Sequence, residues 1–250
     1  MEMKRILGVD LRSDPARDPR FVVVQRPQDL YEYPPGSGSW IHESLNRHLN
    51  TEMQSLEIAA QSLADFPEAP WELRMQQARQ CWDESRHARL IARELVRHGG
   101  EPGQFPVINY DWGVACALET LPARLAVQNR TVEAGEMDLL QQLRDAWKAG
   151  GSPETAEVMD GILADEVQHV RFANEWIKRE VRQNPRVVME IAAAIEYLRN
   201  VTNAFTPAPD DENRAGVKLG DLDREGFDVN TEDRRLAGFG EEDLAALRRR

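Results

Sequence analysis

The sequence predicts an all-α protein: an antiparallel four-helix bundle with a fifth helix, flanked by an irregular N-terminal arm and an extended C-terminal tail. Three observations predict it. Residues 39–204 carry apolar side chains at helical spacing, turn signals cut that stretch into segments of bundle length with short connections, and no shift in composition marks a second domain. The expected organisation is an arm over residues 1–38, a bundle over 39–204 and a tail over 205–250.

The arm is rich in Pro, Gly, Asp and Arg, and only Phe21-Val22-Val23-Val24 has the composition of a short strand. The first helix is expected from Ser39, as N-cap, to about Ala64, where Phe66-Pro67 ends it. The second runs from about Trp71 to His98 and stops at Gly99-Gly100. The third covers about Tyr110 to Lys148, with Pro122 as a kink or fresh start and Gly135 as a second weak point. In Gly150-Gly151-Ser152-Pro153 a stop is followed by an N-cap and a first-turn proline, so the fourth spans Pro153 to Gln183. Asn184-Pro185 repeats that signal for a fifth helix to about Ala204. Residues 205–237 lose the period and read as polar tail; a short helix near Glu241 to Arg249 closes the chain.

Charge and composition narrow the partners. A formal net charge of −12 and a pI near 5.0 repel phosphate backbones, which disfavours nucleic acid. No run of about 18 apolar residues occurs, so no membrane partner is expected. The charged stretch from Met1 to Asp10 holds no secretory signal. Cys81 and Cys116 lie inside helical segments, which fits the reducing cytoplasm.

Helical wheels expose a conflict. Glu52 lies in the middle of an apolar stripe of Ile41, Leu45, Leu49, Leu56, Ala59 and Leu63. Glu84, flanked by His87, sits among Leu73, Cys81, Ala88, Ile91 and Leu95. Glu166 and His169 sit among Met159, Ile162, Leu163, Val170, Ala173 and Ile177, and Glu133 lies less regularly among Ala115, Pro122, Ala126 and Leu140. An ionised carboxylate in an apolar interior is costly unless it is paired or binds a metal. Four of them need one explanation.

Spacing supplies it. Glu84-Ser85-Arg86-His87 and Glu166-Val167-Gln168-His169 are both Glu-x-x-His, which sets a carboxylate and an imidazole one turn apart on one face. A lone Glu precedes each, by 32 residues (Glu52 to Glu84) and by 33 (Glu133 to Glu166). Two single Glu and two Glu-x-x-His strings are the donor set of ferritin-like carboxylate bundles. Such a set suits two transition-metal ions, an iron pair or a manganese–iron pair, without thiolates. Asp83 and Asp165 each precede the Glu of a string and are candidates to orient a metal-bound histidine from outside the ligand set; His48, one turn before Glu52, is a third.

Blander readings compete. A single Glu-x-x-His is usually solvated surface, and a buried network of Glu, His and Arg86, Arg130 or Arg171 is the rival to a metal site. Glu57 falls on an outer face, Glu119 stands in for Glu133 if the third helix has another register, and Cys81 fits a small buried hydrophobe. Ile162 occupies a position where some di-iron N-oxygenases have a further histidine, and Tyr197 is the least implausible radical-bearing tyrosine.

The chain also resembles a ferritin-like family of unknown function, numbered 455, in the broader di-iron carboxylate group. The resemblance rests on Glu52-Met53-Gln54-Ser55-Leu56-Glu57, Asp83-Glu84-Ser85-Arg86-His87, Leu121-Pro122-Ala123-Arg124-Leu125-Ala126, Glu133-Ala134-Gly135-Glu136-Met137-Asp138, Asp165-Glu166-Val167-Gln168-His169 and Asn230-Thr231-Glu232-Asp233-Arg234-Arg235-Leu236-Ala237-Gly238-Phe239. It implies a ferritin-like bundle, a di-metal site on the six residues named, and a late tail that packs on the bundle. The function expected is an O2-dependent oxidase or monooxygenase acting on a small organic substrate, with two iron ions and O2 as co-substrate. The alternative is a non-catalytic or ferroxidase-type iron-binding or storage protein. An external electron donor and a homodimer stay open.

Overall fold

A computed structural model describes residues 2–30, 33–34, 36–206 and 228–247. Helix dominates among them: α1 (Gly38–Asp65), α2 (Trp71–Arg97), α3 (Tyr110–Ala115), α4 (Leu121–Val127), a π-helical turn (Gln128–Glu133), α5 (Ala134–Ala149), α6 (Pro153–Gln183), α7 (Val187–Phe205), α8 (Thr231–Leu236) and α9 (Glu241–Leu247). Strands β1 (Met3–Ile6) and β2 (Val9–Arg12) form one hairpin. The chain is mostly helical, as expected, and no helix among the described residues is long and apolar enough to cross a membrane. It divides into two compact units. The first comprises Met1–Pro67, Gln77–Ala117 and Tyr197–Gly220; the second comprises Glu68–Gln76, Leu118–Glu196 and Asp221–Arg250.

In the first unit the N-terminal arm is anchored. Leu7 and Gly8, at the hairpin tip, both have positive φ (51° and 83°), the requirement of a tight two-residue turn. Leucine is rare in that conformation, so no hairpin signal is legible in the sequence. Leu11, Phe21 and Leu30 are buried. Arg17 pairs with Glu57 and reaches Asn109 Oδ1 at 3.2 Å. The Trp112 indole N–H donates to the Ser13 carbonyl at 2.8 Å, and the Tyr197 hydroxyl to the Asp10 carbonyl at 2.5 Å. The valine run pairs only through a parallel bridge between Val23 and Val107.

Helix α1 starts slightly earlier than expected because Ser37, not Ser39, caps it, its hydroxyl accepting from Trp40 N. Its buried face is more polar than the apolar stripe suggested. Asn46 binds the Phe105 carbonyl and Gly103 N, Asn50 the Ile108 carbonyl, and Gln54 both Ile108 O and Trp112 N. These amides satisfy backbone groups of the loop after α2 that the Val23–Val107 bridge does not reach. Helix α2 ends as expected, with Gly99 at φ 89° and Gly100 N bonded to the Leu95 carbonyl.

The expected third helix is not continuous. It stops after α3, and Pro122 opens α4 in its first turn, where a missing N–H costs nothing. Gly135 breaks nothing, since α5 runs through it; the irregularity is the π-helical turn just before. In the second unit, α6 has the expected bounds and packs Phe172, Ala173, Trp176 and Ile177 against Leu73, Leu125 and Ala126. The fifth helix, α7, begins at Val187, two residues beyond Pro185. Residues 207–227 of the expected tail lie outside the described residues. Beyond them residues 231–236 are helical where polar tail was expected, with Asn230 capping α8 through Asp233 N at 3.1 Å, and α9 is the short terminal helix expected from Glu241.

One ionisable group in the first unit is costly. Burial pushes the Asp111 carboxyl, at the start of α3, up to about 6 from 3.8, although the residue as a whole keeps some exposure. The folded chain therefore holds that proton more tightly than the unfolded chain. The stabilisation is complete below about pH 4 and is lost as pH rises through about 6. Asp111→Asn is expected to flatten the stability profile across this window and to raise stability at neutral pH by on the order of 1–2 kcal/mol, measured by urea unfolding. An unchanged profile would mean a solvated carboxyl.

Candidate metal centre

The first unit carries Glu52 on α1 with Glu84 and His87 on α2, all fully buried. Each offers a ligand atom, and these lie within 4.8 Å of one another. His87 Nδ1 is 3.2 Å from Glu84 Oε2 and 3.4 Å from Glu52 Oε2. The other Glu52 oxygen is 2.8 Å from His48 Nε2. Burial alone would raise the Glu52 carboxyl, but hydrogen bonds from His48 and His87 and their charge hold it well below the usual carboxylate range.

The second unit repeats the set with Glu133, Glu166 and His169, again buried and again within 4.8 Å. Glu166 and His169 lie one turn apart on α6, with His169 Nδ1 3.1 Å from Glu166 Oε2. Glu133 is the last residue of the π-helical turn. Its oxygens accept from Gln128 Nε2 at 3.3 Å and Asn129 Nδ2 at 2.7 Å. A π turn is uncommon and recurs at functional sites. Here Thr131 steadies it, its hydroxyl donating to the Ala126 carbonyl five residues back at 2.8 Å.

These spacings fit metal donors. With bonds of about 2.0–2.2 Å, neighbouring ligand atoms on one ion stand about 3.0–3.5 Å apart, the separation seen between each imidazole nitrogen and its glutamate oxygens. Oxygen and nitrogen donors of this kind could hold a metal ion. Arg130 and Arg171, candidates for a metal-free ionic network, are engaged elsewhere: Arg130 with Asn174 and Asp243, Arg171 with Gln168 and the Leu236 carbonyl.

The remaining candidates fall into place. Asp83 is buried and receives Arg79 at 2.8 Å and Arg86 at 3.4 Å from its own helix, while Asp165 is half-buried beside Glu166. Glu119 is exposed between α3 and α4, whereas Glu133 has no exposed surface, so Glu133 and not Glu119 belongs to the buried cluster. Glu57 is engaged by Arg17 and Ile162 is core. The Cys81 thiol lies 3.9 Å from the Leu56 carbonyl. Burial pushes the Tyr197 hydroxyl up to about 12.

Three amides escape the sequence reading, although a signal for two of them exists. A hydrogen-bond donor precedes three of the four glutamates by four residues: His48 before Glu52, Gln80 before Glu84 (3.1 Å) and Asn129 before Glu133. One helical turn separates each pair, so the donor reaches its carboxylate along the same face. Only Glu166 has an apolar residue, Ile162, there. The third amide, Gln128, joins Glu133 only because the π turn brings position −5 into reach.

A protein-family model described as "Protein of unknown function (DUF455)" matches residues 8–245, and the chain belongs to that family. No curated protein and no solved structure matches it.

The π turn makes its own prediction. Thr131→Val keeps shape but strands the Ala126 carbonyl, and a loss of about 1 kcal/mol is expected in thermal unfolding, with Thr131→Ser near neutral. Equal stability of all three forms would remove the hydroxyl from the account of the turn.

Proposed function

We propose that this DUF455 protein is a ferritin-like di-metal carboxylate protein whose Glu52, Glu84, His87, Glu133, Glu166 and His169 hold two iron ions and use O2 to oxidise or hydroxylate a small organic substrate. The observation that carries the reading is a pair of buried Glu-Glu-His triads of identical composition, each built on a Glu-x-x-His string. Charge supports two ions over one. Four carboxylates and two neutral imidazoles balance two divalent cations, while a single ion leaves excess negative charge in a dry interior. The oxygen-rich donor set favours iron or manganese over metals that seek thiolates.

In this reading Glu52, Glu84 and His87 would hold one ion, and Glu133, Glu166 and His169 would hold the other. The bound ions supply Lewis acidity and redox chemistry toward O2. The protein's part is orientation and exclusion. His48, Gln80, Gln128 and Asn129 fix the carboxylate oxygens by hydrogen bonds from behind, and complete burial of the six residues keeps bulk water from the site. Electrons come from an external donor. Iron binding or ferroxidase-type storage is the alternative use of the same donors; the anchored arm and the C-terminal helices, which a plain storage subunit does not need, favour an enzyme.

Two measurements test this. Protein from iron-replete cells should hold close to two ions per chain by elemental analysis. Glu84→Ala combined with Glu166→Ala should lose both, and Glu119→Ala should keep both; a double variant that retains its metal defeats the assignment. Oxygen uptake by the ferrous form should continue catalytically when a substrate and reductant are supplied. Uptake that stops after one oxidation of the bound iron, across a panel of small organic compounds, selects the storage reading.

A further inference from the structure

The C-terminal residues Asn230–Leu247 are built around the π-helical turn rather than merely attached to the second unit. Arg234, only 5% exposed, makes a two-point ion pair with buried Asp138 of α5: Nε to Oδ1 at 3.0 Å, and a terminal nitrogen to Oδ2 at 2.7 Å. The same Arg234 donates to the Ala134 carbonyl at 2.7 Å, one residue past Glu133. Asn230 N adds a third bond to Asp138 at 2.8 Å. On the other side of Glu133, Arg130 sits within the π turn. It is held by Asn174 of α6 and by Asp243 of α9, and stacks at 4.6 Å over Phe239. Arg234 contacts the same ring at 5.2 Å. Asn174 in turn donates to the Ala237 carbonyl at 2.8 Å, and Lys178 to the Gly238 carbonyl at 2.6 Å, so α6 anchors the segment.

The placement matters more than the number of bonds. The turn that ends on Glu133 is gripped at residue 130 and at residue 134, and both grips converge on Phe239. A π turn left alone tends to relax to α, which would rotate the residues on either side of the bulge by about 100° relative to each other. Gln128, five residues before Glu133, would then leave it, whereas Asn129, four residues before, would stay on its face. A buried ion pair such as Arg234–Asp138 adds little net stability compared with apolar packing, but it fixes geometry. Neither arginine touches a donor atom of the triad.

We propose that Asn230–Leu247 is a clasp that sets the Glu133-bearing turn, with Arg130 and Arg234 as positioning residues and Phe239 as the ring that couples them. Through that turn the clasp tunes the metal affinity of the Glu133, Glu166 and His169 half, a consequence that rests on these residues being metal donors.

The test uses the full chain, Phe239→Leu and Arg234→Gln variants, and Arg234→Lys as a conservative rescue. Hydrogen exchange of the metal-free protein reports the turn directly. Residues 128–134 should exchange about tenfold faster in Phe239→Leu and Arg234→Gln, residues 159–170 of α6 should stay within about twofold of the parent, and Arg234→Lys should recover part of the protection. Cobalt titration then reports the site: one of two ions should weaken by about 10–100-fold in the first two variants while the other is retained. Unchanged exchange at 128–134, equal loosening of α6, or equal weakening of both ions would overturn the clasp. A parent chain that binds no cobalt defeats the metal reading instead, and the exchange result still decides the clasp. Should Arg234→Gln fail to fold, Phe239→Leu, which leaves no buried charge unpaired, decides between the outcomes.

Discussion

A carboxylate that stays ionised inside a protein must be compensated, and that single requirement organises both units. Moving such a charge out of water costs several kcal/mol even after relaxation. A folded domain has only about 5–15 kcal/mol of net stability. Glu52, Glu84, Glu133 and Glu166 are all essentially without solvent contact, so uncompensated they would consume the whole margin. Within the chain, imidazoles and amides hold these carboxylates: His48 and His87 on Glu52, Gln80 and His87 on Glu84, Gln128 and Asn129 on Glu133, and His169 on Glu166. Neutral amides orient oxygens without cancelling their charge. A bound cation or a proton on the carboxylate cancels that charge, and the donor atoms of each triad lie close enough together to hold a metal ion.

The backbone follows from the same need. Three of the four glutamates sit on long regular helices, where i to i+4 geometry delivers a supporting donor or a core contact at each carboxylate. Glu133 is the exception, carried on a π turn between the short α4 and α5. Irregular backbone at a buried charge invites drift, and there the chain supplies added polar contacts, from Thr131 within the turn to Arg234 and Asn230 outside it. In the first unit the support is of a different kind: amides of α1 tie down the loop before α3, and the arm is fixed by Ser13 on Trp112 and by Arg17 on Asn109.

Much of this was legible in the sequence, for identifiable reasons. The bounds of α6 followed from Ser152-Pro153 and an unbroken apolar period, and the six central residues stood out because charged side chains on apolar stripes are physically anomalous. The doubled Glu-x-x-His string made the anomaly specific. What escaped had no periodic signature. The Leu7-Gly8 turn lacks the usual turn residues, and the π turn depends on tertiary contacts from about a hundred residues away. The polar face of α1 was hidden because Asn46, Asn50 and Gln54 look like surface residues until the loop they bind is known. For the same reason the order of residues 230–236 could be anticipated only from family resemblance, since the partner that buries Arg234 is Asp138, 96 residues earlier, whereas the short helix from Glu241 was legible in its own sequence.

What the ions do is a question of chemistry beyond the fold, but whether they are there is a question about the coordination of six side chains. Diffraction data from crystals of protein isolated from iron-replete cells, collected on both sides of the iron absorption edge, address it most directly. The account predicts two anomalous peaks, one bonded at about 2.0–2.2 Å to Glu52, Glu84 and His87 and one to Glu133, Glu166 and His169. Absence of both peaks, or iron bound only at exposed carboxylates with the two triads still hydrogen-bonded to their own histidines, would contradict it.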